Sequence, residues 1–155
     1  MERSCDHKSV GILVWKNDKL LLIERKKPPF GYAPPAGHVD IDNSFEDAAI
    51  RELREEAGIE AENLKLLAEG RKDNPCRRQD GTWHYWKIYA VGSKSRIKRS
   101  EEETKQAGFF TKQKLWLLAK KTERYLNGDI GKADWKKTPG LEPVWYDWLK
   151  QLKII

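Results

Sequence analysis

Apolar positions along the chain fall into blocks whose period switches between about two and about 3.6, the spacings of strands and helices. Residues 9–15, SVGILVW, form a short apolar run rich in β-branched side chains, and residues 19–25, KLLLIER, form another. Lys16-Asn17-Asp18 between them has turn chemistry, so the two runs predict a β-hairpin. The next stretch, KKPPFGYAPPAG, carries four prolines and two glycines, which predicts an extended loop. Residues 44–57 predict a helix, with Ser44 as N-cap, Asp47 completing an approximate capping box and Gly58 as the left-handed stop. On it Ile50, Leu53 and Ala57 form the expected core stripe, and Glu52, Glu55 and Glu56 a second stripe roughly 100° away.

Residues 63–71 and 82–91 predict strands. In the second, Trp83, Tyr85, Lys87 and Tyr89 alternate with His84, Trp86, Ile88 and Ala90. Residues 106–110, QAGFF, predict a short strand. Thr111 then caps a helix with Leu115, Leu118, Ala119, Thr122 and Leu126 inward, ended by Asn127-Gly128. A polar stretch runs to Gly140. The final apolar pattern places Val144, Trp145, Trp148, Leu149 and Leu152 on one face of a helix opened by Pro143. Strands mixed with three helices predict a layered α/β or α+β fold.

The length of 155 residues fits one domain, here 1–155, with the C-terminal helix of about 142–152 packed on its core. A chain near this size buries about 68–70% of its unfolded surface, enough for a core without staples. Charged residues make up 35%, and Lys plus Arg outnumber Asp plus Glu by 30 to 24, for a net charge of +6. A positive field favours anionic partners such as phosphates, nucleotides or RNA, although any single basic run can be solvated surface. Two cysteines are too few for a disulfide scaffold and point to a reducing, cytoplasmic setting. The N-terminus lacks an apolar signal core, and no apolar run approaches the ~20 residues of a membrane span.

Against this basic background, residues 37–59, GHVDIDNSFEDAAIRELREEAGI, gather carboxylates. Glu52, Glu55 and Glu56 stand at helical spacing, where like charges repel by about 0.2–0.5 kcal/mol per pair. Such a face is either merely solvated or meets a cation. Gly37, Arg51, Glu52, Leu53, Glu55, Glu56, Gly58 and Ile59 resemble the Nudix box of the MutT-like Nudix hydrolases, G-x5-E-x7-R-E-U-x-E-E-x-G-U with U apolar. One fixed position departs: Asn43 stands where the family has its first glutamate.

The resemblance implies a Nudix-type α/β/α sandwich with a mixed β-sheet, similar in element order over about 9–126. It implies divalent-metal-dependent hydrolysis of the diphosphate linkage in a nucleoside diphosphate derivative, of the ADP-ribose or nucleoside triphosphate type. Glu52, Glu55 and Glu56 match the family's metal-binding glutamates, with Mg²⁺ as the expected ion and Mn²⁺ as the alternative; hard oxygen ligands suit both. Arg51 matches the arginine that braces them, within reach of Glu55 at i+4 or Asp47 at i−4. Asn43 carries no charge, so metal count and catalytic efficiency are in question, and Asp40, Asp42 or Glu46 could compensate. In many relatives a further carboxylate precedes the last strand. SEEETKQAGFF offers Glu101, Glu102 and Glu103, of which Glu103 is favoured as metal ligand or general base. A charged turn is the alternative there.

For the substrate, Trp83, Tyr85 and Trp86 could stack on a nucleobase or belong to core and sheet face. Arg25, Lys26, Arg71, Arg77 and Arg78 could clamp phosphates. Pro75, 16 residues beyond Ile59, falls near a proline that is a weak signature of ADP-ribose pyrophosphatases in the family. Cys5, His7, Cys76 and His84 could form a zinc site, but their spacing fits no strong motif, and reduced thiols with ordinary imidazoles are the alternative. His38, beside the box, is either a substrate-loop residue or without a role. Two classes of function remain open: a Mg²⁺-dependent hydrolase, or a non-catalytic Nudix-type module that binds a nucleotide or RNA. An RNA 5′-end pyrophosphohydrolase would join the two.

Overall fold

A computed structural model describes residues 3–61, 63–92 and 104–155. Strands β1 (Lys8–Lys16) and β2 (Lys19–Arg25) form the expected hairpin, with Trp15 opposite Leu20 and Lys16 opposite Lys19. Asn17 and Asp18 both take positive φ, 51° and 61°. Paired positive φ at a two-residue loop is the turn whose twist matches the flanking strands, and Asn and Asp tolerate it.

The proline-rich stretch is not wholly irregular. It contains two short strands, β3 (Tyr32–Ala33) and β4 (Ala36–His38). Ala33 pairs with Ile23 of β2, and Gly37 with Val10 of β1. Prolines 34 and 35 lie between the paired positions, so the missing N–H groups fall outside the ladders.

Helix α1 (Phe45–Ala57) starts where Ser44 Oγ accepts the Asp47 N–H at 3.0 Å, and ends at Gly58 with φ 67°. Strands β5 (Lys65–Lys72), β6 (His84–Gly92) and β7 (Thr104–Phe110) complete the sheet. Among the described residues, seven strands form one mixed sheet with β3-β2-β1-β6-β5 as its main path, β4 on β1 and β7 on β2. β6 runs parallel to β1, with Lys8 opposite Tyr85 and Ser9 opposite Trp86. Helices α2 (Lys112–Leu126), α3 (Lys132–Lys137) and α4 (Pro143–Gln151) follow. Thr111 Oγ1 caps α2 by accepting the Lys114 N–H at 3.2 Å.

The alternation of the central strands divides the core into two layers. On one face Val10, Ile12, Val14, Leu21, Tyr89 and Val91 meet Ala48, Ala49, Leu53 and Ala57 of α1. On the other, Leu13, Leu20, Leu22, Trp86 and Ile88 meet Leu115 and Ala119 of α2 and Trp145, Trp148 and Leu149 of α4. The result is the expected α/β/α sandwich, and α4 is part of its core.

Three local expectations change. On α1 the buried arc is Ala48, Ala49, Glu52, Leu53 and Ala57, with Ile50 only half-buried. Two alanines seat the helix close to the sheet, and that rotation carries Glu52 inward rather than onto a separate acidic stripe. Leu126, expected inward, is exposed in the last turn of α2. The polar stretch before Gly140 holds α3, which is anchored by buried Trp135. Its ring stacks on Tyr125 at 4.1 Å and its Nε1–H donates to the Phe30 carbonyl at 3.2 Å. Among the described residues no helix is long and apolar enough to cross a membrane.

Candidate active site

α1 presents its glutamates at three depths. Glu52 is buried, Glu56 half-buried and Glu55 exposed. Glu52 sits beneath β4, where Gly37 leaves it room: a Cβ at Gly37 would overlap the Glu52 carboxylate. Burial pushes the Glu52 carboxyl above the usual range, against the pull of Arg51 and a hydrogen bond with Glu56.

Arg51 ties this cluster together. Its Nε donates to Asp42 Oδ2 at 2.9 Å, and one terminal nitrogen donates to Glu52 Oε1 at 2.8 Å and Glu55 Oε2 at 3.2 Å. The other terminal nitrogen reaches the His38 carbonyl at 2.9 Å. Of the two expected helical partners, Glu55 is realised. Beside Glu52 and Glu55 from the helix, Asp42 supplies a further anionic partner from outside it, one residue before exposed Asn43.

The glutamates open onto a cleft of about 310 Å³. Arg25, Lys27, Arg77 and Arg78 line the same cleft, as does Pro75. Arg78 is held by a bidentate pair with Asp40, in which one arm measures 2.8 Å, and this pair lowers the Asp40 carboxyl below its ordinary value. Trp86 also lines it, with its Nε1–H donated to Asn74 Oδ1 at 3.1 Å. Glu142 and Trp145 line the cleft from the start of α4, so the C-terminal segment contributes to it. Glu142 is buried, which raises its carboxyl, and stands 4.0 Å from Arg25 Nε.

The sequence-derived candidates divide accordingly. Arg51, Glu52, Glu55, Glu56, Arg25 and Arg77 all border the cleft. Arg71, Trp83 and Tyr85 do not. Arg71 packs its guanidinium 4.4 Å over the Trp83 ring and pairs with Asp73 at 3.0 Å. Trp83 stacks on His7 at 4.1 Å, and the Tyr85 hydroxyl donates to Glu69 Oε1 at 2.6 Å on the α1 side of the sheet, where its ring meets Phe45. Alternation separates them: Trp83 and Tyr85 share one face of β6, whereas His84 and Trp86 point to the cleft side. Glu103 lies outside the described residues.

A second cluster borders the same cleft. Cys5, His38, Cys76 and His84 bring one ligand atom each within 4.8 Å of one another. His7 does not join; its backbone takes φ 57°, and its Nδ1 lies 2.9 Å from the Trp83 carbonyl oxygen. His38 replaces it. Sequence spacing could not show this, because His38 arrives through the β4–β1 ladder opposite Ser9. Burial lowers both imidazoles, His38 to about 4, and raises the Cys5 thiol to about 11.

Comparison with known proteins agrees with this architecture. A family model described as the NUDIX domain matches residues 6–128. An ADP-ribose pyrophosphatase of Methanocaldococcus jannaschii is 37% identical over 65 residues, covering 39% of this chain and 38% of that protein. An asymmetrical bis(5′-nucleosyl)-tetraphosphatase of Caenorhabditis elegans is 36% identical over 63 residues, covering 38% and 46%. The match thus spans less than half the length of these curated relatives. A NUDIX-family hydrolase structure from Clostridium perfringens superposes with a TM-score of 0.61 at 18% identity, over 94% of this chain and 95% of that one, which is a likeness of fold. With residues 6–128 matched, and the box residues gathered on α1 at the mouth of the cleft, the chain belongs to the NUDIX domain family.

Proposed function

We propose that this protein hydrolyses the diphosphate linkage of a nucleoside diphosphate derivative, of the ADP-ribose or nucleoside triphosphate type, in a reducing cytoplasm and as one functional unit over 1–155. One observation carries the reading: Glu52, Glu55 and Glu56 line a single cleft together with Arg25, Lys27, Arg77 and Arg78. A diphosphate in that cleft would meet both guanidinium groups and carboxylates. Carboxylates repel phosphate unless a cation intervenes. The all-oxygen donor set suits a hard divalent ion, Mg²⁺ or Mn²⁺, and buried Glu52, its carboxyl raised for want of solvation, has most to gain from one. Such an ion, when bound by Glu52, Glu55 and Glu56, would neutralise phosphate charge and acidify a water.

The chain's own residues do the rest. Arg51 fixes the Glu52 and Glu55 carboxylates, and Asp42 with the His38 carbonyl fixes Arg51. Arg25 and Arg77 hold substrate phosphates, Arg78 being held by Asp40, and Trp86 with Trp145 exclude water from the part of the cleft they line. Glu103 is the candidate general base from the sequence. The names of relatives that act on ADP-ribose and on dinucleoside tetraphosphates support a substrate with a phosphoric anhydride between two larger groups.

The test is product release from a panel of nucleoside triphosphates, ADP-ribose, dinucleotides and triphosphorylated or capped RNA with Mg²⁺ or Mn²⁺. Turnover is expected for at least one nucleotide and is expected to vanish in Glu55→Gln/Glu56→Gln. A folded protein that binds nucleotide but never turns it over would overturn the hydrolase and leave the non-catalytic binding module suggested by Asn43.

A further inference from the structure

We propose that Cys5, His38, Cys76 and His84 form a closed, tetrahedral zinc site that staples the N-terminal segment and the 73–83 loop to the start of the box. Both cysteines of the chain and two of its three histidines meet at this one point, from four separate segments. Two thiolates and two imidazoles are a donor set that selects zinc over the hard ions expected at the glutamates.

The two sulfur–nitrogen distances made by Cys5 are those of an ion at the centre, within a cluster that spans up to 4.8 Å. Zinc–sulfur bonds near 2.3 Å and zinc–nitrogen bonds near 2.0–2.1 Å at the tetrahedral angle place sulfur and nitrogen about 3.6 Å apart. Cys5 Sγ lies 3.6 Å from His38 Nε2 and 3.2 Å from His84 Nε2. The sulfurs are also supplied with the donors that a thiolate wants. The His7 N–H donates to Cys5 Sγ at 3.3 Å, and the Arg78 N–H to Cys76 Sγ at 3.4 Å, each from two residues downstream. Gly81 yields the space for the Cys76 sulfur, because a Cβ there would overlap it.

Four protein ligands leave no open position, so the ion is structural. Its reach extends to the cleft. The His38 carbonyl accepts from Arg51 at 2.9 Å, and the Cys76 loop carries Arg77 and Arg78. The staple therefore ties the loop that carries Arg77 and Arg78 to the strand whose carbonyl braces Arg51. Zinc chemistry here is separate from the hydrolytic reading and stands or falls without it.

The experiment is metal analysis of the full chain produced with zinc and dialysed, beside cobalt replacement followed by absorption spectroscopy. One zinc per chain is expected, and cobalt is expected to show sulfur-to-metal charge transfer with tetrahedral visible bands. Cys5→Ser/Cys76→Ser should lose both signals, and Glu55→Gln/Glu56→Gln should keep both. If the double serine variant does not fold, the cobalt spectrum of the unaltered chain decides. Zinc below a tenth of an equivalent with no thiolate band overturns the site, as does zinc that persists in a folded double serine variant or a Cys5–Cys76 disulfide found in its place.

Discussion

Gly37→Ala tests whether the depth of Glu52 matters. A Cβ at Gly37 would lie 2.8 Å from Glu52 Cγ and closer still to the carboxylate, against about 3.5–4.0 Å for an optimal contact. The backbone there cannot retreat, because Gly37 is paired with Val10 in the β1–β4 ladder. Relief must come from Glu52, whose Oε1 is held by Arg51 at 2.8 Å. Overpacking of this kind costs about 1–3 kcal/mol, and a chain of this size loses about 2–4 °C in Tm per kcal/mol. The larger effect is on the reaction, because a displacement of about 1 Å in a positioned group can cost about 10²-fold in rate. The assay is kcat/KM on the best nucleotide of the panel, with circular dichroism to show that the variant is folded. Gly131→Ala, where an added Cβ meets nothing within 4 Å, is the control and should leave kcat/KM unchanged. Unchanged kcat/KM in Gly37→Ala would refute the claim that Gly37 exists to seat the Glu52 carboxylate.

Asp42→Asn replaces the charged acceptor of Arg51 Nε by a neutral one; bonds to charged groups contribute about 1.5–3 kcal/mol against about 0.5–1.5 for neutral ones, so stability should fall by about 1 kcal/mol, and kcat should fall as Arg51 loosens its hold on Glu52 and Glu55. Asn43→Glu, at an exposed position, should shift stability by no more than about 0.5 kcal/mol in denaturant titrations, and in the Asp42→Asn background it should restore part of the lost kcat. Trp83→Ala leaves the cleft untouched, so KM should stay within about threefold, while loss of the His7 stack and the Arg71 cation–π contact should lower stability by about 0.5–1.5 kcal/mol. Trp145→Ala should cost about 3–5 kcal/mol by urea unfolding, because its fully buried ring packs edge-on against Trp86 at 5.5 Å; a loss under 1 kcal/mol would show α4 to be a detachable appendage.

The electrostatics of the site follow from burial as much as from the charges themselves. Glu52, Glu142 and the two imidazoles are all pushed toward their neutral forms, and each faces a partner or a ligand position that would restore charge or bind the neutral ring. A cleft lined by both acids and guanidinium groups is poised for an anion and a cation together.

The sequence by itself determined whatever is encoded within a few residues of itself. The hairpin follows from Asn17-Asp18, whose side chains tolerate left-handed backbone. The extent of α1 follows from Ser44 and Gly58, which satisfy and end its hydrogen-bond ladder, and the box helix carries its glutamates at fixed offsets. The tertiary structure decided what depends on register and rotation. How deep Glu52 lies was set by Ala48 and Ala49 packing on the sheet, which turned the helix by more than its apolar pattern indicated. Which aromatic residues reach the cleft was set by the alternation of β6, which puts Trp86 on the face that lines it and Trp83 and Tyr85 on the other. The meeting of Cys5, His38, Cys76 and His84 needed β4 and β6 to flank the first half of β1. No local pattern encodes such a meeting, because loop closure between segments tens of residues apart is stabilised by the finished sheet rather than by the residues that it brings together.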